Sequence, residues 1–440
     1  MNNKNFITTF LRVIERKYVL FFIYLASLFI SIYIFYYLFT EENKFIVDNF
    51  GNLNIFLVNN MFGWFIESVL TQGIPKISYA GIDFYFSMRP ILPYFLIFVF
   101  ENISSNFFLI LLIKNLLMGI LIYFIIQNYN KNYNNLFIGI CLILIFYNPH
   151  NTHIMFDIGA EEGFLNYLMI FLFFFIIGDY KYKSLFVGAT LSAIFFTKES
   201  MFILTFIVPL VYIFLEKKHN KYLPLIMILI SNLAWGSYHY KTQNYFPIGP
   251  TGSAKNALNL ANVYHEDFSS TYPRVSPDIY FYKTIELVKE KKITDEKELM
   301  DILINQSLTF LKENPYEVMK GIFNKVYVIT LSPFKDTRVR QEDSNPIRYS
   351  NFPNKIIFNF SLIILFINIF NKHRLFLKKK IDFYYLIILM TYFMPYIIGF
   401  VYPRHCTAMY TLGHVYIFFK IIEINKFNIN KFIKIIDDQK

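Results

Sequence analysis

Cysteine and charge are both scarce in this chain. Only Cys141 and Cys406 occur among its 440 residues, and two thiols so far apart cannot form a disulfide framework or a zinc site. The glycine patterns of nucleotide-binding loops are missing too, which argues against a nucleotide-driven pump. Charged residues make up 17% of the chain, and a water-soluble protein of this composition would expose far too much apolar surface.

Long apolar stretches dominate instead, and Phe, Trp and Tyr supply 20% of the residues. Crossing a hydrocarbon core ~30 Å thick takes about 20 apolar residues per helix, and several stretches reach that length. We therefore predict an all-α, polytopic transmembrane helical bundle of about ten spans, with juxtamembrane helices on its outer face. The predicted spans are roughly 18–39, 106–126, 136–147, 163–177, 184–196, 201–215, 222–235, 352–370, 383–401 and 407–422.

The net charge of +11 comes from basic residues that fall on every second predicted loop. This is the bias of cytoplasmic loops, so it predicts both termini in the cytoplasm and no nucleic-acid partner. The piece 91–100 is too short to cross comfortably and is predicted to lie against the membrane. Frequent Asn, Ile, Lys, Phe and Tyr indicate an AT-rich bacterial genome, hence a bacterial cytoplasmic membrane.

Three regions follow from this pattern. Residues 1–235 form an N-terminal membrane module that includes a first outer loop, 40–90. Residues 236–351 form an extracytoplasmic loop in which apolar residues recur at helical spacing, with a break at Pro315, so a mainly helical cap is predicted. Residues 352–440 hold the last spans and a basic cytoplasmic tail.

Acidic residues outnumber basic ones in both predicted outer loops that precede residue 163. A carboxylate beside lipid and aromatic side chains has a raised pKa and suits general-base work. Cations that could meet a phosphate lie nearby, at the tip of one helical hairpin and at the start of the last span. The candidates are Asp48, Asp83, Asp157, Glu161, Glu162, Lys198 and Arg404. We expect Lys198 and Glu199 to form an ion pair at the membrane surface.

His150 and His153 stand at a spacing from Asp157 and Glu161 that is compatible with metal ligation. Imidazole and carboxylate groups alone define no particular metal site, so no metal is predicted.

Several segments share their order with one enzyme group. Arg89-Pro90-Ile91-Leu92-Pro93-Tyr94 follows the first outer loop, Asp157 to Tyr167 opens a span, Trp235 to Asn262 follows the seventh, and Phe310 to Val326 precedes the eighth. With Arg404 entering a late span, the order resembles the C-type (GT-C) polyprenyl-phosphate-dependent glycosyltransferases, which include protein O-mannosyltransferases and lipid A aminoarabinose transferases. The group's catalytic acid would fall near residues 58–60, where this chain has none, so Asp48, Asp83 or Glu67 would have to replace it.

The resemblance implies transfer of a sugar from a polyprenyl phosphate to an acceptor hydroxyl of a lipid, glycan or protein, without a soluble cofactor. Asp48 or Asp83 would be the base, and Glu161 would assist it. The residues implied in substrate binding are Arg89, Asp157, Glu162, Lys198, Asn262 and Arg404.

Two other functions stay open. A polysaccharide polymerase or ligase would use arginines of the large outer loop, and Arg274, Arg338, Arg340 and Arg348 lie there. A transporter or flippase would be expected to carry internal repeats, and none is visible.

Overall fold

The computed structural model describes residues 161–178, 181–217, 219–244, 296–331, 352–370, 380–399 and 403–425, a hairpin at 76–79 and 82–85, and single residues that include Leu92, Phe246, Pro247 and Gly249. The elements in chain order are β1 (Lys76–Tyr79), β2 (Ile82–Tyr85), α1 (Glu161–Ile177), α2 (Lys183–Phe195), α3 (Phe202–Leu215), α4 (Leu223–Gln243), α5 (Glu296–Glu313), α6 (Pro315–Thr330), α7 (Phe352–Phe370), α8 (Lys380–Ile398) and α9 (Thr407–Asn425).

Helices α1–α4 and α7–α9 coincide with the predicted apolar spans that fall within the described residues. The bounds agree to within a few residues, except that α4 continues to Gln243 instead of ending near Trp235. The chain reverses between helices at turns of polar residues, such as the single helical turn Glu199–Met201 between α2 and α3. The predicted spans 18–39, 106–126 and 136–147 lie outside the described helices.

The cap region 236–351 contains two helices that meet at the predicted break. Helix α5 ends at Glu313 and α6 starts with Pro315, whose missing N–H is tolerated in the first turn of a helix. Asn314 stands between them and its backbone N–H donates to the carbonyl of Phe310. Within residues 296–331, the predicted helices and the break at Pro315 are present.

An all-α fold is an incomplete description, because β1 and β2 form an antiparallel hairpin. Asp83 lies on β2 and stands opposite Ser78 in the register. The strand β2 lies against α4 and α5. The hairpin interrupts what the sequence suggested was an irregular polar segment.

Ion pairs show which helix ends lie together. At one end, the start of α1, the turn after α2 and the segment before α9 meet; we call this the carboxylate end. At the other, the starts of α2 and α8 meet the ends of α3 and α9; we call this the lysine end. Helix α8 runs between the two ends and has 19 residues, which is about 28 Å at ~1.5 Å per residue.

Helices α7 and α8 are long and apolar enough to cross a membrane, judged by length and composition alone. Lys183–Phe195 and Glu199–Leu215 are shorter apolar helical segments. Length and composition of this kind also occur in the buried helices of soluble proteins.

Candidate functional site

The carboxylate end holds a cluster of ionisable side chains in the interior. Lys198 lies in the turn between α2 and α3, and its ammonium donates to Glu162 Oε1 at 2.6 Å and to Glu161 Oε2 at 3.2 Å. Both glutamates belong to the first turn of α1, where the helix dipole favours negative charge. All three side chains are buried, together with Glu199. We call Glu161, Glu162, Lys198, Glu199 and His405 the carboxylate cluster.

Electrostatics keep Lys198 charged in this interior. Burial by itself would lower the pKa of the Lys198 ammonium, but the carboxylates of Glu162, Glu161 and Glu199 raise that pKa well above its ordinary value. A permanently charged ammonium that donates to two carboxylates stabilises them as anions and fixes their orientation.

His405 adds an imidazole to the cluster. Its Nε2 lies 3.5 Å from Glu162 Oε1, and its ring stacks on Tyr396 with 5.2 Å between the ring centroids. The hydroxyl of Ser200 donates to the hydroxyl of Tyr396 at 2.9 Å, and the Tyr392 hydroxyl donates to the His405 carbonyl. The turn before α3, the last two turns of α8 and the segment before α9 therefore position the imidazole beside the acids.

One residue of the segment Arg89–Tyr94 reaches the same turn. The backbone N–H of Leu92 donates to the carbonyl of Phe196 at 2.9 Å, two residues before Lys198 in the chain. Leu92, one residue of the segment that carries the first resemblance to the glycosyltransferases, therefore lies against the turn that carries the lysine.

The turn after α4 also folds back onto this end. Gly249 has φ +116°, a conformation that favours glycine, and its N–H donates to Asn232 Oδ1 of α4 at 3.1 Å. A Cβ at Gly249 would lie 3.4 Å from the ring of Phe202, the first residue of α3. The segment 235–262, which resembles the group's motif after the seventh span, begins by packing on the helices that form the cluster.

The structure brings together three of the predicted site residues, Glu161, Glu162 and Lys198. Asp83 lies on β2 and Arg404 in the helical turn Pro403–Cys406, where the backbone alone is described. The remaining predicted site residues lie outside the described residues: Asp48, Arg89, Asp157 and Asn262.

The expected surface ion pair between Lys198 and Glu199 is not what forms. Lys198 turns inward and bonds to α1, because two carboxylates in the first turn of α1 stand close to the end of α2. His405 and Tyr396 were not predicted as site residues. The neighbouring Arg404, which was singled out in the sequence, was the signal that could have drawn attention to His405.

The lysine end has a different chemistry. Lys183 donates to Glu216 Oε1 at 2.8 Å, and Lys380 pairs with the same oxygen. On α8 and α9, Lys420 lies 2.7 Å from Asp382 Oδ1, which also accepts a hydrogen bond from the Tyr416 hydroxyl at 2.6 Å. Each carboxylate here is directly paired with lysine, and the arrangement joins helix ends.

Neither end offers a clear metal site. Within the described ranges, no three His, Cys, Asp or Glu side chains are grouped so that they could hold an ion.

Comparisons with protein-family models, with curated proteins and with solved structures find no match to this chain. The resemblance to the C-type glycosyltransferases therefore rests on the sequence motifs given above.

Proposed function

We propose that the chain is an integral membrane glycosyltransferase of the GT-C type in a bacterial cytoplasmic membrane. It would have about ten spans, with both termini in the cytoplasm. The enzyme would transfer a sugar from a polyprenyl phosphate to an acceptor hydroxyl on the outer face. The carboxylate end would face outward and the lysine end the cytoplasm, as the bias of basic residues toward cytoplasmic loops requires.

The distribution of polar side chains supports the membrane placement. On α7, Lys355 is 1% exposed whereas Phe366 is 63% exposed, the reverse of a helix that faces water. Lys355 donates to the carbonyl of Val328 inside the protein. Helix α8, which runs from one charged end to the other, is about 28 Å long, close to the ~30 Å of a hydrocarbon core.

The observation that carries the proposed chemistry is the buried contact of Lys198 with Glu161 and Glu162, which lies at the predicted outer end. Burying a charged side chain costs free energy unless it is paired, and buried charged side chains concentrate at functional sites. Leu92 and Gly249, one residue from each of two family-like segments, lie at the same end of the helices.

In the proposed reaction, a first-loop acid, Asp48 or Asp83, accepts the proton of the acceptor hydroxyl. The acceptor oxygen forms a bond to the anomeric carbon while the bond from that carbon to the phosphate oxygen breaks, with inversion. Glu161 and Glu162 orient the acceptor, and Lys198 holds both carboxylates in place. Arg404 and Lys198 stabilise the departing phosphate, and the loop 236–351 closes over the site.

Amide substitutions test the proposal. The full-length protein in membranes would be given a polyprenyl-phosphate sugar, and transfer would be compared for Asp48→Asn, Asp83→Asn, Glu161→Gln and Glu162→Gln. We expect loss of transfer in one of the first-loop variants and in the Glu162 variant. Glu216→Gln, a buried lysine-paired carboxylate at the opposite end, is the matched control and should retain transfer.

Full transfer in the Asp48 and Asp83 variants alike would remove the proposed base. If Arg338→Ala and Arg340→Ala abolish activity while every acid is dispensable, the polymerase or ligase function replaces this one.

A further inference from the structure

Helix α6 carries its apolar residues on the outside and a lysine on the inside. Lys325 is 1% exposed, whereas Phe323 is 67% and Tyr316 77% exposed. The exposed apolar residues recur at helical spacing along one face, and Lys320 is the polar residue among them. We call this face the α6 stripe: Tyr316, Met319, Phe323, Val326, Tyr327 and Leu331.

The orientation of α6 is fixed by hydrogen bonds on its opposite face. The ammonium of Lys325 donates to the carbonyls of Ile397 and Ile398 at the end of α8, at 3.0 and 3.3 Å. The hydroxyl of Tyr410 on α9 donates to the carbonyl of Ile329 at 2.6 Å. Because these contacts attach the back of α6 to α8 and α9, the stripe faces away from these two helices.

The two neighbours of α6 give the stripe its context. Helix α5 exposes mainly polar residues, Asn305, Gln306, Thr309 and Lys312, as a helix facing water does. Helix α7 packs against α6 and exposes Phe352 and Ile356 close to the contact between the two helices. The stripe is therefore continuous with the apolar face of a helix long enough to cross a membrane.

We propose that the α6 stripe is immersed in the outer leaflet of the bilayer, so that α6 is an interfacial helix and only α5 of this pair faces water. The proposal rests on the membrane placement given under the proposed function. A large exposed apolar surface requires an apolar partner, and amphipathic helices bury such a face at the boundary of head groups and acyl chains. Tyr316 and Tyr327 suit this boundary, and Lys320 can extend its ammonium to the head groups.

Quenching by lipid bromines tests the depth of the stripe. Phe323→Trp would be made in the full-length chain, reconstituted into phosphatidylcholine vesicles with bromines on the upper or lower part of the acyl chains. The signal of the unaltered chain, which contains Trp64 and Trp235, is subtracted as background. We expect a blue-shifted emission that is largely lost with upper-chain bromines and less affected by lower-chain bromines.

Two further tryptophan variants serve as controls for Phe323→Trp. Thr309→Trp on α5 should be unquenched and emit like tryptophan in water, and Ile356→Trp on α7 should be quenched. The proposal would be overturned if the tryptophan of Phe323→Trp is unquenched while that of Ile356→Trp is quenched. In that case, red-shifted emission from Phe323→Trp would show that the residue contacts water, and blue-shifted emission would show that it contacts protein. If Ile356→Trp is also unquenched, the membrane placement itself fails. Tyr327→Trp, at a second stripe position, repeats the measurement should Phe323→Trp not fold.

Discussion

The two ends of the same helices use buried charge in opposite ways. At the carboxylate end, one ammonium serves two glutamates of α1, with Glu199 and an imidazole beside them. At the lysine end, two ammoniums meet one oxygen of Glu216, and Lys420 is matched by Asp382. The first arrangement places several acids and an imidazole around one ammonium, whereas in the second each carboxylate is paired with lysine and joins helix ends. The comparison separates a candidate reaction centre from a structural anchor.

The largest expected effect comes from removing the shared cation at the carboxylate end. Lys198→Met leaves Glu161 and Glu162 without their ammonium, so unfolding free energy should fall by about 3–5 kcal/mol. Sugar transfer should fall at least ~100-fold, the order expected when a group that stabilises developing charge is lost. Thermal unfolding in detergent and transfer by the folded fraction measure the two effects. Transfer at the unaltered rate would place the chemistry elsewhere.

Asp382→Asn breaks the anchor at the opposite end. Lys420 would remain buried without its carboxylate, which should lower the free energy of unfolding by about 3 kcal/mol. Transfer per folded molecule should be unchanged, because the pair lies at the far end of α8 from the cluster. A selective loss of transfer at unchanged stability would contradict the division between the two ends.

Lys325 makes stability depend on pH at the carboxylate end. Burial lowers the pKa of Lys325 to about 7. Between this pH and the ordinary pKa of lysine, the unfolded chain therefore binds a proton that the folded chain does not. Stability should therefore rise with pH over this range, by up to ~1.4 kcal/mol per pH unit, and the dependence should vanish below it. Unfolding midpoints at neutral and alkaline pH would reveal the slope. Lys325→Met should flatten it relative to the unaltered chain, and an equal slope in both proteins would assign it to other groups.

Gly249→Ala probes the turn that packs onto the carboxylate end. The positive φ of Gly249 strains any side chain, so stability should fall by about 1–2 kcal/mol. The thermal unfolding midpoint in detergent measures this. Gly399→Ala is a poor control because its Cβ would meet a backbone oxygen at 2.9 Å, so Thr309→Ala on the exposed face of α5 is used instead. A midpoint no lower than that of Thr309→Ala would show that the turn relaxes freely.

The smallest effect on stability is expected for Lys380, the partly exposed lysine of the lysine end. Lys380 is 39% exposed and Glu216 keeps Lys183 when Lys380 is changed. Lys380→Met should therefore alter stability by less than about 1 kcal/mol. The same unfolding assay applies, and a loss as large as that of Lys198→Met would mean that both ends depend equally on their lysines.

Hydropathy and turn chemistry were enough to predict the described helices. The apolar run of α7 predicted its bounds, and Pro315 predicted the break between α5 and α6, because both signals are local in the sequence. Burial and partner choice are not local. The inward turn of Lys198 depends on where α1 begins relative to the end of α2, and hydropathy carries no such information.

The β-hairpin was missed although its signal was present. Lys76–Tyr79 and Ile82–Tyr85 are short runs rich in β-formers, and the sequence places Ala80-Gly81 between them, a two-residue connection that ends in glycine. The surrounding residues 40–90 were predicted as a polar outer loop. The position of Asp83 on a strand beside α4 and α5 could not be foreseen, since it depends on long-range packing.

The hydrogen bond from Leu92 to Phe196 has a consequence for how the chain assembles during synthesis. Leu92 leaves the ribosome long before Phe196, so its amide has no acceptor until the end of α2 has been made. Leu92 can therefore make this hydrogen bond only after Phe196 has been added. A truncated chain that stops before α2 would lack the acceptor for that amide, whatever else it had already folded.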